Sequence, residues 1–589
     1  EFTKALAGSS AATIVIFAPL AFLSGVTGAF FKALSLTMAV SLMISFLISW
    51  LAVPLLADRF LNEADARQKE TGRFAGRARR NYEVIMKRVL PNPWWVVIAI
   101  IVIFSAGWIG YRHLGSGFMP TMDEGGFILD YRSEPGTSLT ETDRLLRQVE
   151  TILRATPEVE TYSRRTGLQL GGGLTEANTG DFFVRLKPRP RRDIEAVMDE
   201  VRQKIERGVP GLEIELAQLM EDLIGDLTAV PQPIEIKLYS DDGNLLGKLG
   251  PTVARAIEKI PGVVDVKSGI VLAGDALDIR VDRVQASLEG MDPDGITHML
   301  SDYLTGVVTS QIQSGPKMIG VRAWIPHDLR ATESDIGNLR LRAPDGHLFS
   351  LKKVASLTTV TGQPEITRDD LKRMAAVTGR ISGRDIGSVI AEVKQALNRP
   401  GLLPQGIRFS LGGLYAEQQN AFAGLVAVFL AAAALIFFLL LFLYESFRVA
   451  IAMLITTLLA LAAVFGGLWL TGTEMNITSM MGMTMIVGIV TEVSIFYYSE
   501  YADIADESDP LDRLVRAGKD RMRPIAMTTL AAIFALLPLA LGIGQGAAMQ
   551  QPLAIAIISG LVAQLPLVLI VLPSLLVLLR VATPRESAI

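Results

Sequence analysis

Eight apolar stretches interrupt the polar background of this chain, near residues 11–31, 34–57, 94–112, 420–443, 449–471, 476–498, 525–543 and 552–579. Each has about the 20 residues that a helix needs to cross a bilayer, so the pattern predicts eight membrane spans. Between 113 and 419 the pattern changes. Short alternating runs read as strands, and between them apolar positions recur every three to four residues, as on amphipathic helices. GGFILDYRSEP, TETDRLLRQVETILRATPEV and ETYSRR give strand, helix and strand. DFFVRLKPR with RRDIEAVMDEVRQKIERGVPGLEIEL, and PIEIKLYSD with LLGKLGPTVARAIEKIPGVVDVKSG, repeat the pattern. The helices stop at TPEV, VPGL and IPGV, where Pro or Pro-Gly ends the period before a returning strand.

The predicted fold is a multi-span α-helical membrane protein with an external α+β portion of repeated βαβ, ferredoxin-like subdomains. The segments expected are 1–57 (two spans), 58–93 (an amphipathic linker helix), 94–112 (one span), 113–232 (a first βαβ subdomain) and 420–580 (five spans). A second βαβ subdomain is expected from 233–275 together with 363–415. The intervening 276–362 breaks the rhythm, and its VVTSQIQSGPKMIGVRAWIP reads as a long inserted hairpin suited to docking a neighbour.

Charge supplies orientation. Arg59, Arg67, Lys69, Arg73, Arg77, Arg79, Arg80, Lys87 and Arg88 lie between the second and third spans, which the positive-inside rule places in the cytoplasm. Alternation then puts Arg448, the 513–523 cluster, Arg580 and Arg585 inside as well. The turns TGTEMN (471–476) and GIGQGAAMQQ (542–551), which have no Lys or Arg, fall outside. The long segment 113–419 therefore lies outside the cytoplasm, and 62–90 reads as a helix along the inner surface.

Composition agrees: half of the 589 residues are hydrophobic, a fifth are charged and the mean hydropathy is +0.37. A formal charge of −4 gives no reason to expect nucleic acid, and the absence of cysteine removes disulfides, thiolate metal sites and cysteine nucleophiles. The chain opens EFTKALAGSS, with no initiator Met and no signal peptide, and reads as a piece of a longer protein. A repeat sharpens that expectation. APLAFLSGVTG (18–28) matches LPLALGIGQG (537–546) and AVPLLADR (52–59) matches VLPSLLVLLR (571–580), so that Pro19 and Pro54 correspond to Pro538 and Pro573 at a common offset of 519. Repeated halves are a transporter device. The offset places the partner of 476–498 before residue 1, so four spans and one external domain are expected to precede this chain.

Candidate chemistry is sparse. No GxxxxGK[ST] loop occurs, so ATP is not expected as the energy source, and there is no GxSxG. His113, His298, His327 and His347 share no metal-ligand spacing. The Gly-rich GLQLGGGLTEANTG (167–180) lacks a Lys and a following helix and reads as a mobile loop. One group stands out: Glu492, a carboxylate inside an apolar span, where such residues mark ion or proton paths. Gly488 lies one turn before it, and Thr484 and Thr491 make the helix face small and polar. Arg521 and Thr528, seven apart, share a face of the next helix.

GFMPTMDEGGF (117–127), LYESF (443–447), RMRPIAMTTL (521–530) and GAAMQQPLA (546–554), in this order and spacing, resemble the resistance–nodulation–division (RND) superfamily of export permeases across the whole chain. The resemblance implies spans five to twelve with the second external loop. It also implies a homotrimer in the inner membrane of a Gram-negative bacterium, a periplasmic adaptor, an outer-membrane channel, and proton antiport with no cofactor and no enzymatic activity. By resemblance the proton relay comprises Glu492, Arg521, Thr528 and Thr491. A glutamate at the position of Glu492 resembles the metal-exporting branch; Arg521 and Thr528 match the drug-exporting branch, while the metal branch's lysine falls at Ile525 and is absent.

The substrate cleft, likewise by resemblance, includes Phe182, Phe183, the loop Gly171, Gly172 and Gly173, and three positions that bind soft cations in copper-type pumps, here Thr179, Gly225 and Met291. One thioether does not make a soft-metal site. The expected cargo is amphiphilic organic compounds, with heavy-metal cations as the alternative. A reading of another class is a non-transporting RND relative with a sensing or accessory role; the 307–326 hairpin argues against it.

Overall fold

The structure, a computed structural model, describes residues 2–582 except 24, 61–72, 121, 168–174, 228–231, 272, 273, 275, 361–364, 505–508 and 545. Its apolar helices are Phe2–Leu20, Gly25–Phe60, Trp94–His113, Gly413–Tyr444, Phe447–Leu470, Ile477–Asp503, Pro510–Ala540 and a last helix that runs from Ala547 to Leu578 through a π-helical turn at Leu567–Val571. Among the described residues seven are long and apolar enough to cross a membrane, and the first contributes the shorter apolar stretch Leu6–Leu20.

The first hairpin corrects the sequence reading. Hydropathy put a boundary between residues 31 and 34, but the helix ends at Leu20 and the next begins at Gly25. Ala21, Phe22 and Leu23 donate back to the carbonyls of Ala18, Pro19 and Leu20 in a tight turn, and Gly25 takes φ +72°, a conformation glycine adopts without Cβ strain. Because AFL is apolar, hydropathy does not see the turn. The other end of the repeat behaves alike: Pro538 lies two residues before the end of its helix, and the turn to Ala547 passes through positive-φ Gly542, Gly544 and Gly546.

Helices Phe447–Leu470, Ile477–Asp503 and Ala547–Leu578 form the bundle's centre, with Met453, Leu459, Ile486, Val490 and Leu561 buried. Glycines set their spacing: a Cβ on Gly482 would lie 2.8 Å from Ala556 Cβ, and one on Gly107 would lie 2.8 Å from Ala462 Cβ. Such contacts let membrane helices pack closely. Gly25–Phe60 and Trp94–His113 instead expose Leu51, Leu55, Trp94 and Trp108. Helix Arg73–Val89 and the turn residue after it dock on the bundle through Tyr82, Met86 and Leu90, buried at a spacing of four; the Tyr82 hydroxyl donates to the Leu569 carbonyl (2.9 Å) and Lys519 pairs with Glu83 (2.6 Å).

In the α+β portion, β1 (Gly126–Ser133), β2 (Val159–Thr166), β3 (Thr179–Leu186) and β4 (Leu212–Gln218) form an antiparallel sheet in the order β2-β3-β1-β4. Helices Leu139–Ala155 and Ile194–Gly208 cover one face, burying Leu146, Val149, Val197 and Val201 against Leu129 and Val184. Ser138 and Asp193 cap their N-termini by accepting from the Glu141 and Glu195 amides. The chain then forms β5 (Ile234–Tyr239) and β6 (Val263–Lys267) before entering an insert of β7 (Ala276–Val281), β8 (Val307–Ser314), β9 (Lys317–Ala323), β10 (Arg340–Arg342), β11 (Leu348–Ser350) and β12 (Ala355–Val360). It returns as β13 (Arg368–Asp369), β14 (Lys372–Ile381) and β15 (Arg408–Gly412), giving the order β6-β14-β5-β15, the arrangement of the first sheet repeated, with β13 adjoining β14. Every residue of the β8–β9 hairpin is exposed.

Buried ion pairs lock the two sheets together. Arg380 on β14 reaches Glu215 on β4 at 2.6 Å, and Arg202 reaches Asp265 at 2.8 Å.

Candidate relay site in the membrane helices

Helix Ile477–Asp503 starts from a capping box, in which Asn476 accepts from the Ser479 amide and Ser479 Oγ accepts from the Asn476 amide. Glu492 is half-buried on this helix and hydrogen-bonds the side chain of Thr13 on Phe2–Leu20. Gly488, one turn earlier, makes the approach possible, since a Cβ there would come within 2.7 Å of Ile16 Cδ1. Thr491, fully buried, turns to a different neighbour: its hydroxyl donates to the Val487 carbonyl (2.7 Å) and lies 3.3 Å from Thr457 Oγ1 on Phe447–Leu470.

The structure does not bring the other expected members to Glu492. Arg521 pairs through Nη2 with Glu500 Oε2 at 2.6 Å, two turns from Glu492, and its guanidinium sits 5.9 Å from the Phe496 ring centroid. Its Nε is buried with no hydrogen-bond partner among the described residues. Thr528 is exposed, and its hydroxyl lies 3.1 Å from both the Pro524 and Ile525 carbonyls of its own helix. The arrangement thus holds one carboxylate on a hydroxyl and, two turns away, an arginine with one carboxylate bound and one donor unused. Sequence reasoning missed Thr13 and Glu500. Glu500 lies two residues past the predicted span 476–498, on the end of the same helix as Glu492.

In the expected cleft, Phe182 corrects the sequence reading. It is fully buried on the helix-covered face of the first sheet, against Tyr131 and Tyr162, and is core packing rather than cleft lining. Phe183 points to the opposite face, half-buried, opposite Ile128 and Ser163. Thr179 opens β3 and donates to the Glu176 carbonyl (3.2 Å), whereas Met291 packs into the insert's core with Ile296 and Leu300. Gly225 lies on helix Leu219–Leu227. Gly171, Gly172 and Gly173 lie outside the described residues.

The other face of this sheet carries a carboxylate that no motif signalled. Asp130 stands directly opposite Glu215 on β4 and Asp181 on β3, and like charges so placed repel. Burial first, then the charges of Asp222 and Glu215, push its pKa up to about 7. The folded state therefore holds a proton that the unfolded chain releases near its ordinary 3.8. The resulting stabilisation is complete below about pH 4 and is lost as pH rises through 7. Asp130→Asn is expected to flatten the melting temperature between pH 5 and 8 and to stabilise the protein at pH 8 by about 2–4 kcal/mol. Unchanged pH dependence in melting curves would refute the assignment.

Comparison with known proteins places these features. The sequence model of the AcrB/AcrD/AcrF family matches residues 1–580. The cobalt-zinc-cadmium resistance protein CzcA of Cupriavidus metallidurans is 27% identical over 557 residues, which is 91% of this chain and 52% of CzcA. The multidrug resistance protein MdtC of Pectobacterium carotovorum is 26% identical over 552 residues, 92% of this chain and 53% of MdtC. The crystal structure of a heavy metal efflux pump superposes with a TM-score of 0.83 at 23% identity, covering 98% of this chain and 58% of the pump, and so shares the fold. The chain spans about half the length of the curated relatives it matches.

Proposed function

Because the chain belongs to the AcrB/AcrD/AcrF family of RND permeases, which are transporters and not enzymes, we propose that it is part of a proton-driven efflux permease. It would lie in the inner membrane of a Gram-negative bacterium, with 113–419 in the periplasm. In this reading it assembles as a homotrimer with a periplasmic adaptor and an outer-membrane channel. The supporting observation is Glu492: a titratable group within a membrane helix, held by the neutral Thr13, with an arginine two turns away whose Nε has no partner among the described residues. Glu492 would take up and release the proton, and Arg521 would move between Glu500 and a second carboxylate. Thr491, beside Glu492 on the same helix, and Thr528 on the next helix would support the exchange.

For cargo we propose amphiphilic organic compounds. Of the three positions matched to soft-cation ligands only Met291 is a thioether, and among the described residues no group of three or more His, Cys, Asp and Glu is placed to hold a metal ion. Heavy-metal cations are the second reading, favoured by the resistance named for CzcA and by the glutamate at 492. Growth of a deletion strain with and without the complete gene decides between them. Restored growth on dyes and detergents is expected. Restoration confined to cobalt, zinc, cadmium, copper or silver salts would replace the first reading with the second.

A further inference from the structure

We infer that the membrane-helix ends nearest the α+β portion form a binding site for a singly charged organic cation with an apolar body, held by Glu474. The site is a cavity of about 500 Å³ walled by Leu537, Leu541, Ile555 and Ile558, with Glu474 and Ser559 among its polar lining. Glu474 sits in the turn between Phe447–Leu470 and Ile477–Asp503. The backbone fixes that turn, since the Met475 amide donates to the Gly115 carbonyl (2.8 Å) and the Gly117 amide to the Met475 carbonyl (3.1 Å). The Glu474 side chain folds over the two glycines: a Cβ on Gly117 would lie 2.8 Å from Glu474 Oε2, and one on Gly115 would lie 3.4 Å from Glu474 Cγ.

That same Gly115 position is 3.3 Å from Asp385 Cγ, so a second carboxylate adjoins the first. Asp385 is satisfied by the Ser116 and Ser388 amides, both at 3.1 Å. Glu474, half-buried, makes no hydrogen bond or ion pair among the described residues. Burial, and then the charge of Asp385, raise its pKa. A cation in the cavity would offset both penalties. A single carboxylate with no His or Met on the wall does not suit a transition metal. The apolar side chains opposite suit an organic body.

The choice of ligand rests on the reading of the chain as part of an exporter of amphiphilic compounds, so the test measures occupancy rather than export. The chain contains no cysteine, and Ser559→Cys, in a full-length permease from which every other cysteine has been removed, places the one thiol on the cavity wall. A cationic methanethiosulfonate is expected to react about tenfold faster than an anionic one, because a cleft of one charge sign concentrates the opposite ion. Tetraphenylphosphonium should slow both reactions. Glu474→Gln should bring the two rates together and remove the protection, while Glu492→Gln, which removes the proposed proton carrier, should leave both effects in place. Equal rates with Glu474 present, or no protection by tetraphenylphosphonium, overturn the site. So does protection that survives Ile558→Trp, which fills the cavity.

Discussion

Glu492→Gln in the full-length permease is expected to lower export at least about tenfold while leaving expression and assembly unchanged. Glutamine keeps the shape of glutamate and can still hydrogen-bond Thr13, the partner the carboxyl has in this structure, so packing around Gly488 and Ile16 is preserved. What it loses is the proton, and ionisable groups within spans are retained at a cost of about 2.5–3.5 kcal/mol on insertion scales because they carry such chemistry. The companion Glu500→Gln separates two roles. Glu500 holds Arg521 at 2.6 Å, so its loss should shift the arginine and reduce export partially. Drug or metal efflux by cells carrying each variant, with size-exclusion profiles of the purified proteins, provides the measurement. Full resistance with Glu492→Gln would exclude the carboxyl from the relay, and equal defects in both variants would assign the coupling to the Arg521–Glu500 pair.

Period and hydropathy, which report burial, made the helical spans and the repeated βαβ units legible. The same logic explains the failures. The turn at 21–23 is built of apolar residues, so a scale that averages over a window runs through it. Phe182 was assigned by resemblance, yet strand alternation places it: Phe182, Val184 and Leu186 share the helix-covered face, while Asp181, Phe183 and Arg185 share the other. The neighbouring polar residues therefore indicated that only Phe183 could face an open surface. Glu500 was hidden differently. Sequence gives the approximate depth of each charge along its span, but the direction in which a long arginine side chain runs is set by packing, and here Arg521 runs past Phe496 to the far carboxylate. Asp130 needed the register itself, because only the pairing of three strands puts three carboxylates in a row.

The second large effect is expected at Arg380, which should cost about 3–5 kcal/mol when replaced by methionine. Arg380 and Glu215 are each 3% exposed and meet at 2.6 Å, with Glu221 at 3.0 Å from the same guanidinium. Burial alone would raise the Glu215 pKa, but the charges of Arg380 and Lys267 outweigh it and hold the carboxyl down to about 2. Glu215 therefore stays ionised, with Lys267 and the Gln232 amide (2.9 Å) as its other partners. Removing Arg380 strands much of that charge in a dry setting, whereas Arg380→Met with Glu215→Leu removes charge from both sides and should recover most of the loss. Thermal unfolding of the single and double variants checks this; a double variant no more stable than the single would show that the arginine acts by packing instead. The pair matters for function because β4 and β14 belong to different sheets. Together with Arg202–Asp265, it makes the two βαβ units resist separation. In the proposed export cycle they would then move as one body, and shape changes that pass cargo would occur at their joints with the insert and the membrane helices. Loosening the clamp with Arg380→Met should accordingly raise hydrogen exchange in β4 and β14 together and leave exchange in helix Ile477–Asp503 unchanged.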